Sequence, residues 1–260
     1  MNFSYLESMS TGIIFVFITI FMLAFCELGF QLGDRARRTR DKDAMASLGP
    51  MVGGLMGMLA FVLAITFSMA ASQFDLRKQN VIDDANAIGT AYLRADLLDE
   101  EVSTELKKLL REYVDIRLQA VNGGDMAAIL ARSAEIHGLL WASVSSVART
   151  TPSINASLNI QSINSLIDMH EKRVTAGLYN RIPYSVWLAL LAISALAMMT
   201  MGIQVGLTGK RRLVAVIPML MAFAVLVTLV ADLNRPQKGL ITVGQHAMLD
   251  LQSSMRMDIK

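Results

Sequence analysis

In DDANAIGT, residues 83–90, two carboxylates, an amide and a hydroxyl crowd together as Asp83, Asp84, Asn86 and Thr90. Such a group suits two tasks. It can form a polar vestibule that favours some ions over others, or it can join neighbouring helices or copies of the chain through hydrogen bonds. Gly89 lies in the same stretch. A glycine inside a helix costs up to about 1 kcal/mol against alanine, which a close contact would justify. Glu27 is the clearest ionisable residue within an apolar run. A carboxylate there is expensive and marks function by default, although its place just before DRARR also suits an interfacial ion pair. Asp232 and Arg235 stand one turn apart where the last apolar run ends, spaced for pairing at a helix terminus or for handling ions.

The residues of catalysis do not gather. His137, His170 and His246 are scattered, with no i, i+4 pair of the kind that holds zinc. There is no nucleophile elbow, phosphate loop or dinucleotide fingerprint, and carboxylates and histidines never meet as an acid–base pair requires. The chain is therefore read as no enzyme, with no catalytic residue, no metal ligand and no cofactor.

A second constellation is apolar. Gly53, Gly57, Ala60, Ala64 and Ser68 recur at helical spacing, with Phe61 and Phe67 as bulky neighbours. Small residues let helix backbones approach closely, so the stripe suits helix packing. Repeated around a symmetry axis, it would instead line a narrow passage that the two phenylalanines close by dewetting. Both readings stand at this level.

These residues need elements to hold them. The chain of 260 residues is 53% hydrophobic and 18% charged, well off the balance of soluble domains. The excess is concentrated in four runs, 11–30, 49–71, 183–206 and 213–231, each about long enough to cross a hydrocarbon core. The first has no basic residue before it and no small-residue cleavage site after it, so it reads as a retained helix rather than a signal peptide. Pro218 sits inside the fourth and should bend it. A net charge of +2 without a basic stripe speaks against nucleic acid, and one cysteine, Cys26, rules out a disulfide framework.

Between the second and third runs the pattern is helical almost throughout. Phe74, Val81, Ala85, Ile88, Tyr92 and Ala95 continue on one face from the second run with no proline between. This predicts one helix from Gly49 to Leu98, about 75 Å long at 1.5 Å per residue. Asp99 caps a second helix with Val102, Leu106, Leu109, Tyr113, Ile116 and Ala120 as its seam. A third runs from about Asp125 to Arg149. Thr151 and Pro152 are expected to start a fourth, with Ile163, Ile167, Val174 and Leu178 inward. The tail after residue 231 reads as short helix or packed extended chain.

Arg35, Arg37, Arg38, Arg40 and Lys42 in one short connection, and Lys210, Arg211 and Arg212 in another, are cytoplasmic by the positive-inside rule. That rule places the helical domain in the periplasm, against the basic residues Arg77, Lys78, Lys172, Arg173 and Arg181 on the domain side.

The segments LAFVLAITFSMAASQFDLRKQNVIDDANAIGTAYLRADLL (59–98), LREYVDIRL (110–118) and ADLNRPQKGLITVGQHAMLDLQ (231–252) resemble the opening and closing blocks of the bacterial bestrophin-like membrane proteins. The chain departs mildly from that pattern: Asp84 stands where the family has Glu, and Asn234 where it has Asp. The resemblance implies a pentameric ion channel whose second span lines the pore. It also implies a cytosolic extension, opposite to the charge count.

The expectation is thus an all-α integral membrane protein of the bacterial inner membrane. Residues 1–71 hold the first two spans, 72–182 an inserted helical bundle, 183–231 a hairpin of two spans and 232–260 a tail. The partners implied are the lipid bilayer, further copies of the chain and inorganic ions. The function expected is a bestrophin-like oligomeric channel. The alternative is a non-conducting membrane scaffold or sensor whose helical domain binds a partner protein.

Overall fold

The computed structural model describes residues 9–39, 48–210, 213–235 and 239–258. Arg40, Lys42, Arg211, Arg212 and Pro236, which entered the sequence reading, lie outside the described residues. Among those described there are eight α-helices and no strand: α1 (Thr11–Thr39), α2 (Leu48–Ala95), α3 (Glu100–Val121), α4 (Met126–Thr150), α5 (Ile154–Val174), α6 (Tyr184–Thr208), α7 (Leu213–Leu233) and α8 (His246–Met257). Four are long and apolar enough to cross a membrane. The protein is an all-α, multi-pass membrane protein.

The helices sort into two compact units, residues 1–74 with 181–242 and residues 75–180 with 243–260. In the first, Ile18, Met22, Leu59, Leu63, Leu190, Met198 and Val227 form the core. The second is built around Ile88, Leu106, Leu110, Tyr113, Ile136, Leu140, Ile163 and Leu166, with Met248 and Met255 of α8 in the same core. Ile88, Leu106, Tyr113 and Ile163 among these are seam positions predicted by a three-and-four spacing. The exception at the end of the fourth helix is Leu178, which is exposed in a π-helical turn, Thr175–Tyr179.

α2 is helical without interruption from Leu48 to Ala95. Asp99 is the N-cap of α3, and Asp125 caps α4 by accepting from the Ala127 amide at 3.0 Å. The start of α5 differs from expectation. Ser153, not Thr151, is the cap and accepts from the Ala156 amide at 3.1 Å, so Pro152 precedes the helix instead of opening it. Pro218 lies inside α7.

α1 and α6 pack by a device absent from the sequence reading. A Cβ added at Gly29 or Gly33 would meet the Met199 or Ile203 carbonyl oxygen, and one added at Gly202 or Gly206 would meet that of Cys26 or Phe30. Two small-xxx-small pairs thus bring the backbones into direct contact.

Candidate functional site

The first unit presents the small-residue stripe on a surface of α2 that its own chain leaves open. Val52, Leu59, Leu63, Thr66 and Ala70 turn inward. Gly53, Gly57, Ala60, Phe61, Ala64, Phe67 and Ser68 are all exposed, with Phe61 at 67%. A Cβ added at Gly53 or Gly57 would have nothing within 4 Å. Among the described residues the stripe is therefore not used for packing within the chain; Gly29, Gly33, Gly202 and Gly206 serve that purpose.

In the second unit the helix separates what the sequence placed side by side. Successive residues stand about 100° apart around a helix, so Asp83 and Asp84 leave α2 in different directions. Asp83, Asn86 and Thr90 line an open polar groove of about 520 Å³ with Arg94 of α2 and Gln161, Ser162 and Ser165 of α5. Gln79 donates to Asp83 at 2.9 Å.

Asp84 does not line this groove: it is fully buried and joins neighbouring helices, the second of the two tasks considered for the group. Arg117 donates to its Oδ2 through Nε at 3.1 Å and Nη2 at 3.0 Å, and Arg173 through Nη1 at 2.7 Å. A carboxylate held there faces no vestibule. The signal was present in the sequence: Asp84 lies four residues before Ile88, on the side of the apolar seam.

Around this pair lies a cluster that the sequence reading did not find. Arg173 also donates to Gln245 Oε1 at 2.8 Å. Tyr113 Oη is 2.9 Å and Arg117 Nη1 3.3 Å from His170 Nδ1. Arginine only donates, so this nitrogen is the acceptor and the His170 proton resides on Nε2. His137 meets His170 and Tyr113 edge to face, with centroids 4.7 and 5.0 Å away. Burial first, and the Arg117 charge second, hold both histidines down at about 4. Burial pushes the Tyr113 hydroxyl up and Arg173 down. Arg117 follows Tyr113 by four residues and His170 follows Ile163 by seven, so seam spacing alone marked both as interior.

The other single residues tie the structure together. Asp232 is buried and accepts from the Thr11 hydroxyl at 2.5 Å and from the Leu240 and Ile241 amides at 3.1 and 2.9 Å. A Cβ at Gly239 would come within 2.7 Å of its Oδ1, so the loop needs glycine there. Buried Arg235 donates to the Met9 carbonyl at 2.7 Å. Asn234 accepts from the Ile182 amide through Oδ1 at 3.0 Å, a role open to the aspartate of the family pattern as well. Glu27 accepts from Gln31 at 3.4 Å, one turn along α1, while Arg37 and Arg38 of the basic connection both pair with Asp34. Gly89 lies under Leu251 of α8, which would be 3.3 Å from an added Cβ.

No curated protein and no solved structure matches the chain. The model of the Bestrophin-like domain matches residues 16–248, which take in most of both units. A multi-pass helical protein matched over nearly its whole length, the chain belongs to the bestrophin-like family.

Proposed function

We propose that the protein is an oligomeric ion channel in which copies of the chain surround an axis lined by the open face of α2. One observation carries this reading. Gly53, Gly57, Ala60, Ala64 and Ser68 form a small-residue face on an apolar helix, and none of the described residues covers it. Small residues have little to offer lipid tails, but they permit close approach by neighbours or leave room for a passage. Phe61 and Phe67 are the bulky exposed side chains beside them and serve as the hydrophobic constriction. Family membership supports ion conduction as the activity.

Under this reading Asp83, Asn86 and Thr90 supply the polar approach that ions meet, and Asp84 does not take part. The inserted helical domain, residues 72–182, faces the periplasm and the membrane is the bacterial inner membrane. Arg77 and Arg173, basic residues that weighed against that orientation, are engaged inside the domain. Arg77 is buried and donates to the Ala176 carbonyl at 3.3 Å, and Arg173 donates to Asp84 at 2.7 Å.

The test is conductance of the full chain in planar bilayers. Phe61→Ala should raise leak current, and unchanged current would remove Phe61 from the constriction. A wild-type protein that assembles but passes no ion would favour the scaffold reading, in which the polar groove on α2 and α5 receives a partner protein.

A further inference from the structure

In the second unit α2 has one face inside and one face open. Asn80, Val81, Asp84, Ala85 and Ile88 turn into the domain. On the other side Asp75, Gln79, Ile82 and Asn86 are exposed, spaced four, three and four residues apart. That is the spacing of a coiled-coil seam. Charge flanks it on both sides. Lys78 precedes Gln79, is exposed and forms no ion pair among the described residues. Asp83 follows Ile82 and is half-buried. Its Oδ1 accepts from Gln79 at 2.9 Å, and its Oδ2 has no partner among the described residues. Asp83 lies five residues after Lys78, which places the two about 140° apart around the helix and about 7.5 Å apart along it.

We propose that Lys78 of one copy pairs with Asp83 of the next, so that the copies join flank to flank around the axis. The pairing rests on the channel reading, in which copies surround the open face of α2. Copies related by rotation about an axis through the membrane all point the same way, so their α2 helices run parallel and each contact is head-to-tail. One flank of a helix then always meets the opposite flank of its neighbour, and these two flanks carry opposite charges. In parallel coiled coils such flanking pairs set partner and orientation, and the long lysine side chain covers the difference in height. The seam between the flanks is too polar to close as a dry core, since Asp75, Gln79 and Asn86 stand there with Ile82 alone. It suits a wet passage, and the attraction between copies comes from its edges. Asp83 thus stands at the margin of the approach that ions meet. The groove it lines with Gln161 and Ser165 of α5 offers further hydrogen-bonding groups to the arriving helix.

The experiment is charge exchange in the full-length protein, with assembly read by size-exclusion chromatography over a dilution series in detergent. Lys78→Glu sets like charges at both contacts of every copy and should dissociate the assembly at about tenfold higher protein concentration. Asp83→Lys should do the same. The double variant K78E/D83K restores opposite charges and should recover assembly, which also shows that the helix tolerates both changes. In the membrane, K78C/D83C treated with a short bismaleimide should give a ladder beyond the dimer. Neither single cysteine variant can form one, because Cys26 is buried. An assembly indifferent to Lys78→Glu, a double variant no better than the single ones, or the absence of a ladder would each overturn the pairing, while ion conduction by that assembly would leave the channel reading standing. A wild-type protein that stays monomeric would overturn both.

Discussion

Two guanidiniums share one oxygen of Asp84, and nothing about that arrangement survives loss of the carboxylate. Arg117 is 5% exposed, so Asp84→Ala leaves buried positive charge without its partner. Removing one member of a buried pair costs about 3–5 kcal/mol. Asn86→Ala, at an exposed position on the same helix, should stay within about 0.5 kcal/mol. Urea unfolding followed by amide exchange in α3 separates the two, and equal small effects would return Asp84 to the surface. The neighbouring histidines add a pH dependence with a definite sign. His137 and His170 are held at about 4 in the folded domain, below their ordinary 6.5. As pH falls below about 6.5 the unfolded chain gains protons that the folded one refuses, so stability falls until about pH 4 and then levels. The slope is at most about 1.4 kcal/mol per unit for each histidine. Denaturation midpoints of the detergent-solubilised protein should decrease across that window, and the double variant H137Q/H170Q should flatten the curve.

At the scale of elements, glycines in different helices do opposite things. Gly202 in α6 lies against the Cys26 carbonyl of α1, so Gly202→Val forces the two backbones apart. Overpacking of this kind costs about 1–3 kcal/mol or more, visible as a lower melting temperature. Gly57→Ala meets nothing within the chain and should leave folding intact, or strengthen α2 slightly through helix propensity. If copies meet along that face, however, a larger residue obstructs them. Gly57→Leu should reduce the oligomer on size-exclusion chromatography while helical content is unchanged. An oligomer indifferent to Gly57→Leu would assign this face to lipid. Both sets of glycines are small residues in apolar runs, and only their neighbours distinguish them. The tail shows the same dependence on neighbours. α8 is docked by Met248 and Met255, by Tyr92 donating to Asp258 at 3.0 Å, and by Gln252 donating to Asp115 at 2.5 Å. Its own twelve-residue helix is too short to stand alone in water.

For the whole molecule, the proposed channel makes assembly part of the fold's purpose. Cys26 is the single native cysteine and is buried, so a cysteine placed at Ala64 reports contacts between copies without a reactive background. Oxidation should yield disulfide-linked dimers for A64C in the membrane and none for a cysteine at Val214, which is 92% exposed on α7. The reverse pattern would place α2 away from the axis.

The sequence by itself determined the class of protein, the number of apolar spans, the continuity of α2 and most of the core of the helical domain. Each follows from local rules: a span is long and uncharged, a buried seam repeats every three or four residues, and a helix runs until a breaker stops it. Family membership was also legible, through the blocks at 59–98 and 231–252. What only the tertiary structure decided was which partner each polar or small residue found. Asp83 and Asp84 are neighbours in the chain and diverge in space, because a helix turns about 100° per residue. Arg117, His137, His170 and Arg173 lie on three separate helices and converge on Asp84 and Tyr113 only when those helices pack. Gly29 meets Met199, and Gly202 meets Cys26, across a helix pair for the same reason. Spacing says which side of a helix a residue is on, whereas chemistry depends on what stands opposite, and that is set by contacts between residues far apart in the chain.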